Sequence, residues 1–240
     1  MSSSTFKFKK FEIAQDQCGM KIGTDGVLLG AWAPHKSDAK HILDIGTGTG
    51  VIAIMQAQRC PKAMVVGVEV DENSAQQASE NMAASPYHDR LDVHLGSIQD
   101  FSRDTDVKYD LIISNPPFFT GGTLSKNQAR KDVRHTVKLP NGDLLRCAHK
   151  LLSKDGIFSV ILPYIEGLRF KEMAGQYGFH LSHMTEVKPK ADKSVERLLM
   201  AFKRHAVDEV VSNSLVIQHE KRNDYTDDYI ELTKAFYLKM

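Results

Sequence analysis

Apolar runs of strand length recur along the chain at 41–45, 64–70, 91–95, 109–114, 157–162, 179–187 and 198–203. Between most of them lie segments with helical spacing, such as 74–84 and 142–152, where Leu144, Leu145, Ala148, Leu151 and Leu152 fall on one face. Near-continuous apolar strands belong to a sheet covered on both sides, and strands that alternate with helices build a mostly parallel one. The pattern predicts an α/β domain with a seven-stranded, mostly parallel sheet and helices on both faces. Residues 188–195 are too few for a helical crossover, so the last two strands should pair antiparallel, placing an antiparallel strand at one edge.

Both ends depart from this rhythm. Near the start, Phe6-Lys7-Phe8-Lys9 alternates like a strand, and Thr24 or Asp25 is placed to cap a helix that begins near Gly26. Near the end, a short strand is expected around 215–218 and a helix from about 226 to 237. Neither piece is large enough to fold alone. The chain reads as one domain, 1–240, with a core at 41–205, an N-terminal extension at 1–40 and a C-terminal strand-helix appendage at 206–240.

With 240 residues, 42% of them hydrophobic and 25% charged, the composition is that of one ordinary globular domain. No apolar run approaches the roughly 18 to 20 residues that span a bilayer. The opening residues lack the apolar stretch of a secretory signal, so a cytoplasmic protein without a membrane anchor is expected. Cys18, Cys60 and Cys147 show no Cys-x-x-Cys spacing and read as reduced, packed thiols. His180 and His183, the closest histidine pair, should point to opposite faces of a strand, and no metal site is expected. Lys and Arg total 31 against 30 for Asp and Glu, so a polyanionic partner must be sought in local clusters. Nothing calls for a second copy of the chain, and a monomer is the default.

The first central strand runs into Asp44-Ile45-Gly46-Thr47-Gly48-Thr49-Gly50 and then the apolar segment 51–57. A tight glycine turn that opens onto a helix N-terminus is a nucleotide-type cofactor site. The glycines fall at every second position, and Val51 stands where the dinucleotide fingerprint has its third glycine, which disfavours a pyrophosphate and with it a nucleotide-dependent dehydrogenase. Asp44 at the mouth of the turn would repel phosphate but receive, directly or through water, the ammonium of an amino acid. Glu69 follows 25 residues later at the tip of the next strand, where a carboxylate accepts ribose hydroxyls. An ammonium and a ribose diol without phosphate describe S-adenosylmethionine. A glycine turn alone is also an ordinary connection; the flanking strand, the helix and Glu69 select the cofactor reading.

The fourth strand ends in Asn115-Pro116-Pro117-Phe118. The prolines stop the sheet, remove backbone donors and stiffen a turn that presents carbonyl oxygens and the Asn115 amide. A ring-conjugated amine is a poor nucleophile. If its two hydrogens bind the Asn115 side-chain oxygen and the Pro116 carbonyl, the nitrogen becomes pyramidal and its lone pair is freed for an electrophilic methyl. Phe118 offers a flat face for the base, and Asn115 also borders the cofactor. With these motifs the sequence resembles the Rossmann-like class I S-adenosylmethionine-dependent methyltransferases that carry Asn-Pro-Pro-[Phe/Tyr], over most of its length.

More narrowly, Lys21-Ile22-Gly23-Thr24-Asp25-Gly26-Val27-Leu28-Leu29-Gly30-Ala31-Trp32 and the tail from Asp224-Tyr225-Thr226 to Tyr237-Leu238 are similar to bacterial tRNA (adenine-N6)-methyltransferases acting on adenosine 37 of a valine tRNA. That resemblance implies that Thr24 and its neighbour Asp25 hold the methionine part of the cofactor and that Glu69 binds its ribose. It also implies that Asn115, Pro116, Pro117 and Phe118 hold the target adenine. Relatives often carry an acidic residue after the third strand; here Ser97 and the Ile98 backbone stand in that place.

The segment 119–141 contains Lys126, Arg130, Lys131, Arg134 and Lys138 against Asp132 alone, a charge of +4 in a chain of +1. Basic charge directly after the tetrapeptide is where a tRNA would pass to deliver its base. Lys7, Lys9 and Lys10 form a second candidate surface. The tetrapeptide does not by itself separate adenine-N6 methylation from that of guanine N2 in ribosomal RNA or of a release-factor glutamine, but its intact form, Asn115-Pro116-Pro117-Phe118, argues against a silent cofactor-binding RNA protein.

Overall fold

The computed structural model describes residues 5–19, 21–117, 139–221 and 223–239. Phe118 and the basic positions Lys126, Arg130, Lys131, Arg134 and Lys138 lie outside the described residues. Each predicted run becomes a strand: β3 (His41–Ile45), β4 (Met64–Glu69), β5 (Leu91–Leu95), β6 (Tyr109–Ser114), β7 (Leu152–Pro163), β8 (His180–Lys190) and β9 (Arg197–Lys203). The tail strand is longer than expected and, as β10 (Val211–Gln218), joins the same sheet. Among the described residues the sheet is therefore eight-stranded, in the order β10-β8-β9-β7-β6-β3-β4-β5.

β3 pairs parallel with β4 and β6, and β6 with β7. β9 runs antiparallel to both β7 and β8, as the short 188–195 connection demands. Because β10 adds parallel to β8, the reversed strand β9 lies third from that edge, inside β10 and β8. β8 carries a second departure. A register shift between Leu181 and His183 sets His180 opposite Lys203 and His183 opposite Ala201, two positions on one face of β9, so the bulge brings both histidines to the same side. Among the described residues no group of three His, Cys, Asp or Glu forms a metal site, and no helix is long and apolar enough to cross a membrane.

Two apolar layers cover the sheet. One holds α1 (Thr24–Trp32) and α2 (Val51–Arg59), with Leu28, Leu29, Ile54 and Met55 buried together with Ile13, Tyr229 and Phe236 from the chain ends. The other holds α4 (Ile98–Asp104), α5 (Asn141–Leu151) and α6 (Tyr164–Gln176), around Leu144, Leu151, Phe158, Phe170 and Phe202. Each such fully buried side chain contributes on the order of 1.5 to 3 kcal/mol. Cys60 and Cys147 are buried free thiols, and Cys18 is a half-buried one.

The N-terminal extension begins with a hairpin of β1 (Thr5–Lys7) and β2 (Glu12–Ala14), in which Phe6 faces Ile13. It is fastened to α3 (Glu72–Ala84) by side-chain amides: Asn81 exchanges two hydrogen bonds with the Ala14 backbone, and Gln77 accepts from the Gln17 N–H. The tail ends in α7 (Asp227–Thr233), capped by the Thr226 hydroxyl, and Lys9 reaches the Lys234 carbonyl just beyond it. Phe8 is buried. Lys7 is paired with Glu12 at 3.0 Å, so of the expected basic trio two members already have partners.

Candidate active site

The carboxyl ends of β3, β6, β8 and β10 reach one side of the sheet, and the reversed β9 delivers its amino end there. A cavity of about 1120 Å³ opens on that side. Its lining includes Thr24 and Asp25 from α1, Gly46, Thr47, Gly48 and Thr49 from the turn after β3, and Asn115, Pro116 and Pro117 after β6. β3 and β6 are neighbours, with Ile45 opposite Ser114, and the Ser114 hydroxyl donates to the Ile45 carbonyl at 2.9 Å. The glycine turn and the Asn-Pro-Pro turn are thereby pinned side by side.

The turn has the backbone its glycines predict. Gly46, Gly48 and Gly50 have φ of 73°, 55° and 79°, a region that costs any residue with a side chain, and Gly50 is the N-cap of α2. A glycine outside the motif also serves the turn. A Cβ on Gly67, beside Asp44 on β4, would lie 2.8 Å from the Thr47 hydroxyl, so only glycine leaves Thr47 its place.

Asp44 stands behind the turn rather than at its mouth. Its side chain is buried, and the residue is 1% exposed. Oδ2 accepts from the Thr47 hydroxyl at 2.7 Å, while Oδ1 has no hydrogen-bond partner. Burial pushes its pKa up to about 7, against the pull of the Thr47 hydrogen bond and with a further push from the Glu69 charge. The Ala53 N–H faces the same carboxylate and lowers the pKa without closing a hydrogen bond to Oδ1.

Glu69 lies beside the cavity, outside its lining, and organises the turn. Oε2 accepts from the Gly48 N–H at 2.9 Å, and Oε1 accepts from the N–H groups of Val70 and Asp71. Oε2 therefore keeps an unused lone pair. Ser97 and Ile98 also lie outside the cavity. The Ser97 hydroxyl is the N-cap of α4 and is engaged with Asp100, and the Ile98 side chain belongs to the core. Val70 and Leu95, 44% and 52% exposed at the ends of β4 and β5, leave an apolar shelf next to Glu69.

Neither Thr24 nor Asp25, the two expected caps, caps α1. The N-cap is Gly23, without a side-chain hydrogen bond, and the Asp25 carboxylate accepts from Arg197 Nε at 2.8 Å across the cavity wall. Arg197 and Glu196 line the cavity at the start of β9, as do Val187, Pro189, Tyr225 and Tyr237. Sequence reading assigned none of these a role; the one signal was the tail around Tyr225 and Tyr237, which carried a resemblance and no chemistry.

The family described as the methyltransferase small domain matches residues 22–164. A tRNA1(Val) (adenine(37)-N6)-methyltransferase of Phocaeicola vulgatus is 45% identical over 240 residues, covering 100% of both chains. One from Flavobacterium johnsoniae is 41% identical and covers 98% of this chain and 100% of its own. Among solved structures, a predicted O-methyltransferase from Agrobacterium tumefaciens shares the fold at a TM-score of 0.67 and 18% identity, covering 88% of this chain and 96% of that one. The chain belongs to the methyltransferase small domain family and, within it, to the tRNA1(Val) (adenine(37)-N6)-methyltransferases.

Proposed function

We propose that this protein, a single-domain monomer, methylates the exocyclic N6 amine of adenosine 37 in a valine tRNA, with S-adenosylmethionine as methyl donor. The observation that carries the reading is that Asn115, Pro116 and Pro117 open into the same cavity as the glycine turn from Gly46 to Thr49. The full-length identity to enzymes named for that reaction supports the choice of acceptor.

The residues present fit the cofactor. An unpartnered buried carboxylate oxygen on Asp44, directly under Gly46 and Thr47, is what an ammonium would satisfy. Open space above Gly46 and Gly48, where an added Cβ would meet nothing within 4 Å, leaves room for a ligand against the backbone. Glu69 keeps an acceptor for a ribose hydroxyl, while Ser97 and the Ile98 backbone border the shelf for the adenine. Thr24 serves the methionine end, Asp25 steadies the wall behind it, and Gly50 starts the helix that closes the turn. When bound, S-adenosylmethionine supplies a sulfonium-activated methyl group.

The rest is done by the chain. The Asn115 side-chain oxygen and the Pro116 carbonyl accept the two hydrogens of the target amine and turn its lone pair out of conjugation. Pro117 holds that turn rigid, and Phe118 stacks on the ring. No strong base is required before attack: as the new N–C bond forms the methyl's bond to sulfur would break, and the nitrogen, acidic only then, loses its extra proton to solvent; positioning and electrostatics carry the step. Lys126, Arg130, Lys131, Arg134 and Lys138 take the phosphates around the target.

Incubation with labelled S-adenosylmethionine and total bacterial tRNA, followed by nucleoside mass spectrometry, should yield N6-methyladenosine. In parallel incubations with ribosomal RNA and with a release factor, label only in N2-methylguanosine or only in the release factor would replace the reading. Asn115→Ala should lower kcat by about 10²- to 10³-fold, the scale for removing one preorganised group in a transition state, and leave cofactor affinity within a few fold.

A further inference from the structure

The cavity is larger than one cofactor site. At about 1120 Å³ it exceeds the usual 300 to 1,000 Å³ of a small-molecule pocket, and its lining falls into two chemically different groups. One group is the glycine turn with the Asn-Pro-Pro turn. The other is aromatic and comes from the two terminal appendages, with Phe6, Tyr225, Tyr229 and Tyr237. Tyr229 is buried and fixed, hydrogen-bonded to Tyr237 and stacked on Tyr225 at a centroid distance of 5.2 Å and an interplanar angle of 27°. Phe6 meets Tyr237 at 6.3 Å. Tyr225, Tyr237 and Phe6 are themselves only half-buried, so ring surface remains open to the cavity. Lys21 and Lys239 line the same space, with Arg197, which is bound to Asp25, and Glu196.

Rigid aromatic faces among cationic side chains are what successive bases of single-stranded RNA stack on. A membrane or an apolar small molecule would not call for lysines beside the rings, and one adenine does not need both the Asn-Pro-Pro turn and a separate aromatic cluster. We propose that Tyr225, backed by Tyr229 and flanked by Phe6 and Tyr237, is a second base-stacking site that takes the nucleobase next to the target adenosine. This rests on the tRNA reading above and deepens it: the N- and C-terminal appendages are assigned the recognition of a flanking nucleotide. Continuity with Asn115, Pro116 and Pro117 in one cavity makes the neighbour in the RNA strand the occupant.

The test uses the full chain with two unmodified valine tRNA substrates, one intact and one with an abasic nucleotide beside the target, made for each side in turn. For the wild-type protein, an abasic nucleotide on one side should raise KM by about 5- to 150-fold, the equivalent of one base stack. Tyr225→Ala should raise KM for the intact RNA by a similar factor and show no further penalty with the abasic one. Tyr225→Phe should restore stacking, and Tyr225→Leu should not, which separates ring stacking from packing. S-adenosylmethionine affinity should be unchanged in all three variants. If the abasic nucleotide costs wild type nothing on either side, or costs Tyr225→Ala as much as wild type, the stacking site is overturned. Loss of cofactor affinity in Tyr225→Ala would also overturn it, assigning the ring to the cofactor. Absence of adenosine methylation by wild type on the intact RNA would instead overturn the tRNA reading.

Discussion

Asp44 joins deep burial to an oxygen without a partner, and both consequences can be measured. Its pKa is raised from 3.8 to about 7, so the folded protein without cofactor holds the proton more tightly than the unfolded chain. Linkage then makes Asp44 favourable to folding below about pH 4 and progressively unfavourable as pH rises through about 7. An ammonium needs the ionised form, so S-adenosylmethionine affinity should fall as pH is lowered through about 7, by up to about tenfold per unit. Asp44→Asn should flatten that profile, weaken binding by about 1.5 to 3 kcal/mol and raise the Tm of the free protein above neutral pH. Calorimetric titrations across this range check it; a wild-type affinity that is flat with pH would remove Asp44 from the cofactor site. The place of the carboxylate directly before the glycine turn was legible in the sequence. Its burial was not, because that depends on Gly67 and Thr47 closing over it from a neighbouring strand and from the turn.

Helix α1 shows how an element acquires its function from partners far along the chain. Its first turn lines the cavity, and it is held at both ends. Arg197 binds Asp25 at the start. At the other end, Arg59 donates to the Gly30 and Ala33 carbonyls and Trp32 Nε1 donates to the Thr185 hydroxyl. The Asp25–Arg197 pair is mostly shielded, with side chains 21% and 28% exposed, and should contribute about 1 kcal/mol. A double-mutant cycle with Asp25→Asn and Arg197→Gln, read on S-adenosylmethionine affinity, should show a coupling of about 0.5 to 2 kcal/mol. Additive effects would mean that the pair does not hold the first turn in place for the cofactor. The helix itself was legible from its apolar content and the polar residues before it. The cap was misassigned because Asp25 has the local credentials of a capping residue, while its actual partner lies 172 residues away.

For the whole molecule, the open question of charge falls on the segment 119–141, whose +4 contrasts with −3 in the remainder. With Lys7 on Glu12 and Lys9 on the Lys234 carbonyl, the N-terminal lysines are weaker competitors for phosphates than their sequence indicates. Each phosphate contact to single-stranded nucleic acid adds a slope of about −0.7 in log affinity against log salt, so changing both Arg130 and Arg134 to Ala should flatten the tRNA-binding slope by roughly 1 to 1.5. Cofactor binding should stay as it was. A double variant with the wild-type slope would move the phosphate surface to Lys21 and Lys239 at the cavity.

Local chemistry is written in short runs of residues, and such runs fix what near neighbours along the chain can enforce. Alternation of apolar strands and helices set the α/β class, every-second-residue glycines set a turn with positive φ, and two consecutive prolines closed off β6 just after Ser114. Those features depend on neighbours within a few positions, where steric rules act directly. The tertiary structure alone decided which ends meet. It added β10 outside β8, brought Arg197 to the cavity because β9 runs backwards, and folded Phe6 and Tyr237 from opposite termini into one wall. Burial, strand order and long-range pairing follow from the whole core finding its lowest free energy, so the depth of Asp44 and the aromatic lining of the cavity have no signature in any local stretch of the chain.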